Sequence, residues 1–429
     1  MRYDKCVIFD LDGTLTQSEE GIWNCVRYAA EKLGFPEPDA ATLRKFIGPP
    51  LFYSFHNFMG MDEDMAQRAV DTYRERYTTV GLFENRVYPG IRRLLRTLKR
   101  QGCWLGVATG KPQEASERII RYFGLDRFFN RVIGPDGATR SADKAELIRA
   151  ALPEDYAEAW MVGDRRFDIE GGRTVGVKTA GAGFGYGSEE ELRQAGCDVY
   201  APTVQALIDA LCPGEMPPEG AFLSMEGMDG SGKTTQIRLL TDALERFGFE
   251  VVHSREPGGC NVAEAIRGVL LDRRNVGMTG ITEAMLYAAA RAQHVREVIR
   301  PTVAAGKVLL CDRFVDSSVA YQGYGRELGA ERVLSINAEA VAGCLPDRTY
   351  LLTLPQQEAQ ARIAGRGERD RMESAGEAFD RRVAEGFLRI AEKEPERMVV
   401  LDARRSVEEL ARCIAQDVAK LKTSEGARR

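Results

Sequence analysis

Histidine is scarce: His56, His253 and His294 are the only three in 429 residues. Chemistry built on histidine triads or histidine-rich metal centres is therefore not expected. The nine cysteines are scattered from Cys6 to Cys413, and none forms a C-x-x-C pair. An odd, dispersed set reads as thiols in a reducing compartment, not as a disulfide frame or a zinc site. No run of 18 apolar residues occurs, so no membrane span is expected. The opening MRYDKCVIFD has no apolar leader with a small-residue cleavage site. These absences predict a cytoplasmic protein. A charge excess of one sign is also missing, with 59 Lys+Arg against 64 Asp+Glu and a net charge of −5. That weighs against nucleic acid and membrane surfaces as partners, while a local basic pocket stays allowed.

What is present is ordinary globular material, 44% hydrophobic and 29% charged. The length predicts about two to four domains. Short apolar runs alternate with longer helical patterns. Strands are expected at 5–10, 104–109, 130–134, 159–164 and 177–181, then at 221–225, 250–254, 308–312, 349–354 and 398–402. Such alternation predicts an α/β fold, with two doubly wound parallel-sheet domains. The Pro/Gly-rich segment CPGEMPPEG at 212–220 reads as the linker between domains at 1–211 and 221–429. Residues 18–79 break the alternation and read as helices only, an inserted cap bounded at about 16–88.

The first strand ends in Asp10, with Asp12 two residues later in DLDGT. Strand ends of open α/β sheets are where ligands bind. A carboxylate there can attack phosphorus and form an aspartyl-phosphate. Asp12 is placed to give a proton to the leaving oxygen and later to take one back. GDRRFD supplies Asp164 and Asp168, hard oxygen donors that suit one magnesium ion together with Asp10, with Asp12 counted in the same acidic set. Thr109 can hydrogen-bond a phosphate oxygen, and Lys144 can neutralise phosphate and Asp10 charge. Each element alone is commonplace; the four segments together point to a phosphomonoesterase.

These motifs resemble the haloacid-dehalogenase-like phosphatases over about residues 1–211. The insert resembles that family's helical cap. FIGPPL at 46–51 and GYGSEEEL at 185–192 resemble phosphoglycolate phosphatases and related 5′-nucleotidases. The resemblance implies a magnesium-dependent hydrolase acting on a nucleotide or a small phosphorylated acid. A regulatory, non-catalytic role for this half is the alternative.

The second half opens with a strand and then Gly227-x-x-x-x-Gly232-Lys233-Thr234, the P-loop pattern in its required context. Backbone N–H groups through Gly227, Gly230, Ser231 and Gly232, and the helix start at Thr234 and Thr235, cradle phosphates. Lys233 reaches the β- and γ-phosphates, and Thr234 can hold magnesium. A switch GTPase, an ATPase and a small kinase all remain open at this point. Arg255 and Arg313 follow strands, where a guanidinium fork meets an anion. Tyr287 and Arg291, four apart on a helix, make a platform for a planar base. Arg366, Arg369 and Arg371 in AGRGERDRM read as a basic lid over the transferring phosphoryl group.

Residues 221–422 resemble the thymidylate kinases, carried by EGMDGSGKTTQ, REPGG, YAAARAQHVREVIRP, DRF and AYQG. The resemblance implies transfer from ATP to dTMP. It places Asp229 on the sugar 3′-hydroxyl, Tyr287 on thymine, Arg291 at its O4 and Arg313 on the monophosphate. Ser318 falls near the base edge, and Tyr321 at the 2′ position. The lid arginines follow the bacterial pattern, with Gly230 where some members carry a catalytic arginine. A homodimer through this half is also implied.

Overall fold

The computed structural model describes residues 2–135, 143–214, 220–363, 371 and 376–421. The chain divides into two compact units, and the division falls inside 212–220. Two all-parallel α/β sheets are observed, as the alternation predicted.

In the first unit the strands are β1 (Tyr3–Phe9), β2 (Thr16–Gln17), β3 (Arg86–Val87), β4 (Trp104–Ala108), β5 (Arg131–Ile133), β6 (Tyr156–Gly163), β7 (Lys178–Ala182) and β8 (Val199–Ala201). Six of them form one sheet in the order β5-β4-β1-β6-β7-β8. Cys6, Val7, Ile8 and Phe9 are all fully buried. A continuous apolar run of this kind belongs to a strand covered on both faces. Phe9 lies level with Val107 of β4 and Val162 of β6, so the chain leaves all three strands at one edge. The strand order reverses at β1, and the crevice at that edge is the expected ligand position.

The insert forms helices Glu19–Lys32, Ala40–Arg44, Leu51–Met59 and Glu63–Tyr77. Asp39 and Asp62 cap two of them, accepting from the N–H groups of Thr42 (2.7 Å) and Met65 (2.8 Å). The cap has its own core, including Val26, Leu43, Phe55 and Tyr73. Residues 18–79 are helical as expected, and the neck just outside them is a β-ribbon. Thr16 pairs with Val87 and Gln17 with Arg86 in a two-stranded antiparallel ribbon, β2–β3. Two residues per strand leave no readable alternation.

The second unit contains β9 (Ala221–Gly227), β10 (Val251–Arg255), β11 (Val308–Asp312), β12 (Arg348–Thr353) and β13 (Met398–Asp402), ordered β10-β11-β9-β12-β13. β9 is central and wholly buried. It runs into the phosphate loop and helix Lys233–Arg246. Two stretches of π-helix occur, Val295–Ile299 and Val319–Gly325. The second carries Tyr321 and Gln322 to the cleft described below, and such wide turns recur at functional positions.

Candidate functional sites

In the first unit, Asp10 follows β1, Thr109 follows β4 and Asp164 follows β6. Asp168 lies in the first turn of helix Arg166–Val175. Carboxylate oxygens of Asp10, Asp164 and Asp168 lie within 4.8 Å of one another, and all three residues are buried. Lys144 Nζ sits 2.6 Å from Asp10 Oδ1 and 2.6 Å from Asp168 Oδ1. Burial pushes the Asp10 carboxyl up to about 7, against the pull of Lys144. Burial, with Asp168 and Asp10 nearby, drives Asp164 well up. Burial also pulls the Lys144 ammonium down, but Asp10 and Asp168 outweigh it and hold it above the usual lysine range. Three buried carboxylates against one lysine are under-compensated. That donor set and charge fit a divalent cation with hard oxygen ligands.

Asp164 is crowded into place. Gly13 has φ +83°, and a Cβ there would meet Asp164 Oδ2 at 2.2 Å, so both the backbone and the space demand glycine. The Thr14 hydroxyl donates to Asp164 Oδ1 (3.2 Å), and the Tyr186 N–H donates to Oδ2 (2.8 Å). The Tyr186 hydroxyl accepts the N–H groups of Ser18 (2.8 Å) and Glu19 (3.2 Å). It thereby satisfies donors at the start of the first cap helix.

Asp12 stands apart from the three-acid cluster. Its Oδ2 pairs with Lys111 Nζ at 2.9 Å, and its Oδ1 is buried without a hydrogen-bond partner. A metal-ligand place for the Asp12 carboxylate does not match this arrangement. Thr109 is buried, and its Oγ1 accepts the Lys111 N–H at 3.2 Å. Lys111 was not singled out from the sequence. It also hydrogen-bonds the Tyr77 hydroxyl at the end of the last cap helix. The signal was its place two residues after Thr109 in TGK.

In the second unit, a cleft of about 270 Å³ is lined by Asp229, Gly230, Gly232, Lys233, Thr234, Thr235, Arg255, Tyr287, Arg291, Arg313, Ser318 and Tyr321. Twelve expected site residues, from six segments, thus share one wall. Lys233 Nζ donates to the carbonyls of Gly227 and Met228 (both 3.1 Å), closing the loop on itself. Burial, then the Arg313 charge, lowers its ammonium from 10.5 to about 8. Gly230 has φ +82°, and a Cβ there would meet the Ala359 carbonyl at 2.5 Å. An arginine is excluded from that position on both counts.

Arg313 adopts φ +70°, a left-handed conformation that is costly for a residue bearing a Cβ. Its guanidinium donates to the Gly227 carbonyl (3.0 Å), Ser317 Oγ (3.1 Å) and Asp229 Oδ1 (2.6 Å). Burial raises the Asp229 carboxyl, but Arg313 and Lys233 outweigh it and hold it below the ordinary value. Arg291 is buried. Its Nε donates to Glu256 Oε2 (2.7 Å), and its guanidinium lies 5.2 Å from the Phe314 ring centre. Glu256 Oε1 is 2.9 Å from His294 Nδ1. Arg255 is exposed and pairs with Glu264 at 3.1 Å. The hydroxyls of Ser231, Ser318 and Tyr321 are buried without hydrogen-bond partners.

The expected lid is seen only in part. Arg366 and Arg369 lie outside the described residues. Arg371 does not line the cleft. It pairs with Glu283 Oε2 at 2.6 Å and donates to the Leu270 carbonyl at 2.9 Å. Glu283 is fully buried and is met by both Arg371 and Arg326, which offset its charge.

Fold and sites define two phosphate-handling α/β enzyme domains on one chain. Residues 225–414 match the thymidylate kinase family, and residues 7–182 match the haloacid dehalogenase-like hydrolase family. A thymidylate kinase from Exiguobacterium sibiricum is 49% identical over 199 residues, covering 46% of this chain and 94% of that one. One from Symbiobacterium thermophilum is 49% identical over 200 residues, covering 47% and 93%. A haloacid dehalogenase-like hydrolase structure from Streptococcus pneumoniae is 31% identical, covering 48% of this chain and 98% of its own, with a TM-score of 0.44. The chain belongs to the thymidylate kinase family through its second unit, and a haloacid dehalogenase-like domain is fused ahead of it.

Proposed function

We propose that the second unit transfers the γ-phosphoryl group of ATP to dTMP, giving dTDP and ADP. The observation that carries this reading is the single cleft joining the phosphate loop, Arg313 and the Tyr287–Arg291 pair. Lys233 holds the phosphates of ATP. Arg313 holds the monophosphate so that its oxygen attacks the γ-phosphorus in line, and the base rests between Tyr287 and Arg291. Catalysis here is positioning plus charge compensation. Asp229, already beside Arg313, faces the sugar. Arg366 and Arg369 are the remaining lid candidates. Turnover of ATP that depends on dTMP, and not on GTP as donor, tests the reading.

The first unit, in the same proposal, hydrolyses a phosphomonoester. An Asp10 oxygen attacks phosphorus, and the leaving oxygen takes a proton from Asp12. Water then attacks the phospho-Asp10 ester while Asp12 takes its proton, which frees inorganic phosphate. Thr109 and Lys144 hold the phosphate oxygens. Asp10, Asp164 and Asp168 would hold magnesium, and Thr234 would hold it in the second unit. Bound there, the ion offsets the charge of an approaching phosphate dianion. The substrate class is a nucleotide or a small phosphorylated acid. Hydrolysing dTMP would consume the acceptor that the kinase needs, so competing nucleoside monophosphates are the preferred candidates. A hydrolysis screen with the Lys233→Ala protein decides this. Phosphoglycolate cleaved far faster than every nucleotide would exclude the nucleotide reading. The domain boundaries at 1–211 and 221–429, a cytoplasmic location and a homodimer through the second unit belong to the same proposal.

A further inference from the structure

Glu226 is the last side chain of β9 before the phosphate-loop glycine, and its relative exposure is 0%. A carboxylate at full burial is costly unless hydrogen bonds satisfy it. Both bonds it receives in the structure come from one short segment after β11. Its Oε1 accepts the Phe314 N–H (2.7 Å), and its Oε2 accepts the Ser317 hydroxyl (2.6 Å). Ser317 Oγ in turn accepts Arg313 NH1 at 3.1 Å. Asp316, a buried acid whose charge acts on Glu226, has its own cation: Arg397 meets it with two bonds, 2.7 and 2.9 Å. Glu226 is therefore not the partner of Arg397. Its bonds go to the peptide immediately after Arg313 and to the hydroxyl that steers the Arg313 fork.

Arg313 needs such support. Its φ of +70° is disfavoured for any side chain beyond glycine and persists only where the surroundings over-determine it. The Phe314 N–H bond fixes the peptide plane on the C-terminal side of that strained residue. The Ser317 relay adds a further bond to the guanidinium, beside those to the Gly227 carbonyl and Asp229 and its approach to the Tyr321 ring.

We propose that Glu226 is a positioning residue for monophosphate binding, holding Arg313 in its left-handed, cleft-facing conformation through Phe314 N–H and Ser317. The assignment rests on the reading of this cleft as a dTMP site. It distinguishes the two substrates. ATP meets the loop residues Gly227–Thr234, whereas only the acceptor meets Arg313.

The test compares kcat/KM for dTMP and for ATP in Glu226→Met, Glu226→Gln and Ser317→Ala proteins, each with and without Arg313→Ala. Glu226→Met removes both acceptors and is expected to lower kcat/KM for dTMP by about tenfold or more, with KM for ATP within about twofold. Glu226→Gln keeps an acceptor for Phe314 and lets Ser317 turn its hydroxyl, so it should restore most of the loss. In the Arg313→Ala background neither change should add a further loss, because both act through the same guanidinium. Losses that multiply in that background, or equal rises of KM for both substrates, overturn the assignment. Should Glu226→Met yield no folded protein, the Ser317→Ala cycle decides by the same criterion. Absence of dTMP-dependent turnover in the unaltered protein instead overturns the kinase reading itself.

Discussion

The candidate sites of the two units carry opposite charge. The first gathers three buried carboxylates around Lys144, and the second gathers Lys233 and Arg313 around Asp229. The difference follows from what each reaction brings with it. A site that forms a covalent ester must supply an electron-rich nucleophile, so it starts with excess negative charge and needs a cation. A site that moves phosphate between nucleotides receives the negative charge with its substrates and supplies the cations itself.

The contrast can be broken most sharply at the nucleophile. Asp10→Asn should lower hydrolysis of an aryl phosphate by about 10⁴-fold or more while leaving dTMP phosphorylation unchanged, as parallel assays of one preparation would read. Lys233→Ala is the mirror experiment. It should lower dTMP phosphorylation by about 10²–10³-fold and spare hydrolysis. Lys144→Met leaves the acid cluster without its lysine. It should destabilise the first unit by about 3 kcal/mol in chelator, and magnesium should recover part of that loss in thermal melts. Tyr186→Phe removes the acceptor for two N–H groups at the cap helix and should cost about 1 kcal/mol, confined to the first unit.

A finer test uses protons. The free Lys233 ammonium, lowered to about 8, is charged below that pH and increasingly neutral above it. Nucleotide phosphates beside it favour the charged form and raise it again. ATP binding should therefore take up close to one proton near pH ~9 and almost none near pH ~7. Calorimetry in buffers of different ionisation enthalpy measures the uptake, and Lys233→Ala should abolish it.

Much of this was legible in the sequence because phosphate chemistry sits at strand ends next to glycine. Ten apolar runs marked ten of the described strands, the three-residue β5 among them, and Asp10, Thr109, Asp164, Gly227 and Arg313 stand at or just after the ends of those runs. Three other short strands left no such trace. β8 is three residues long and is held partly by a side chain, since Asp198 Oδ2 accepts the N–H (2.7 Å) and the hydroxyl (2.9 Å) of Thr179. β2 and β3 have two residues each. At the sites, spacing revealed which residues cluster but not who partners whom. Arg371 was read as a lid residue, but its pairing with buried Glu283 could not be read from spacing. Lys111 was passed over because one lysine after a turn resembles any solvated lysine. Glu226 was read only as part of a motif, because burial and hydrogen bonding to residues 314 and 317 are tertiary facts.

Tyr186 holds Asp164 of the acid cluster through its backbone N–H and the base of the cap through its ring hydroxyl. Together with the β2–β3 ribbon it pins the insert close to Asp164, so any swing of the cap has its pivot beside the chemistry and its widest arc far away. Under the proposed hydrolysis, the acids would keep nearly constant surroundings while the distant rim of the cap meets the leaving group. Substrate preference would then shift by exchange of rim residues with no change to a single acid.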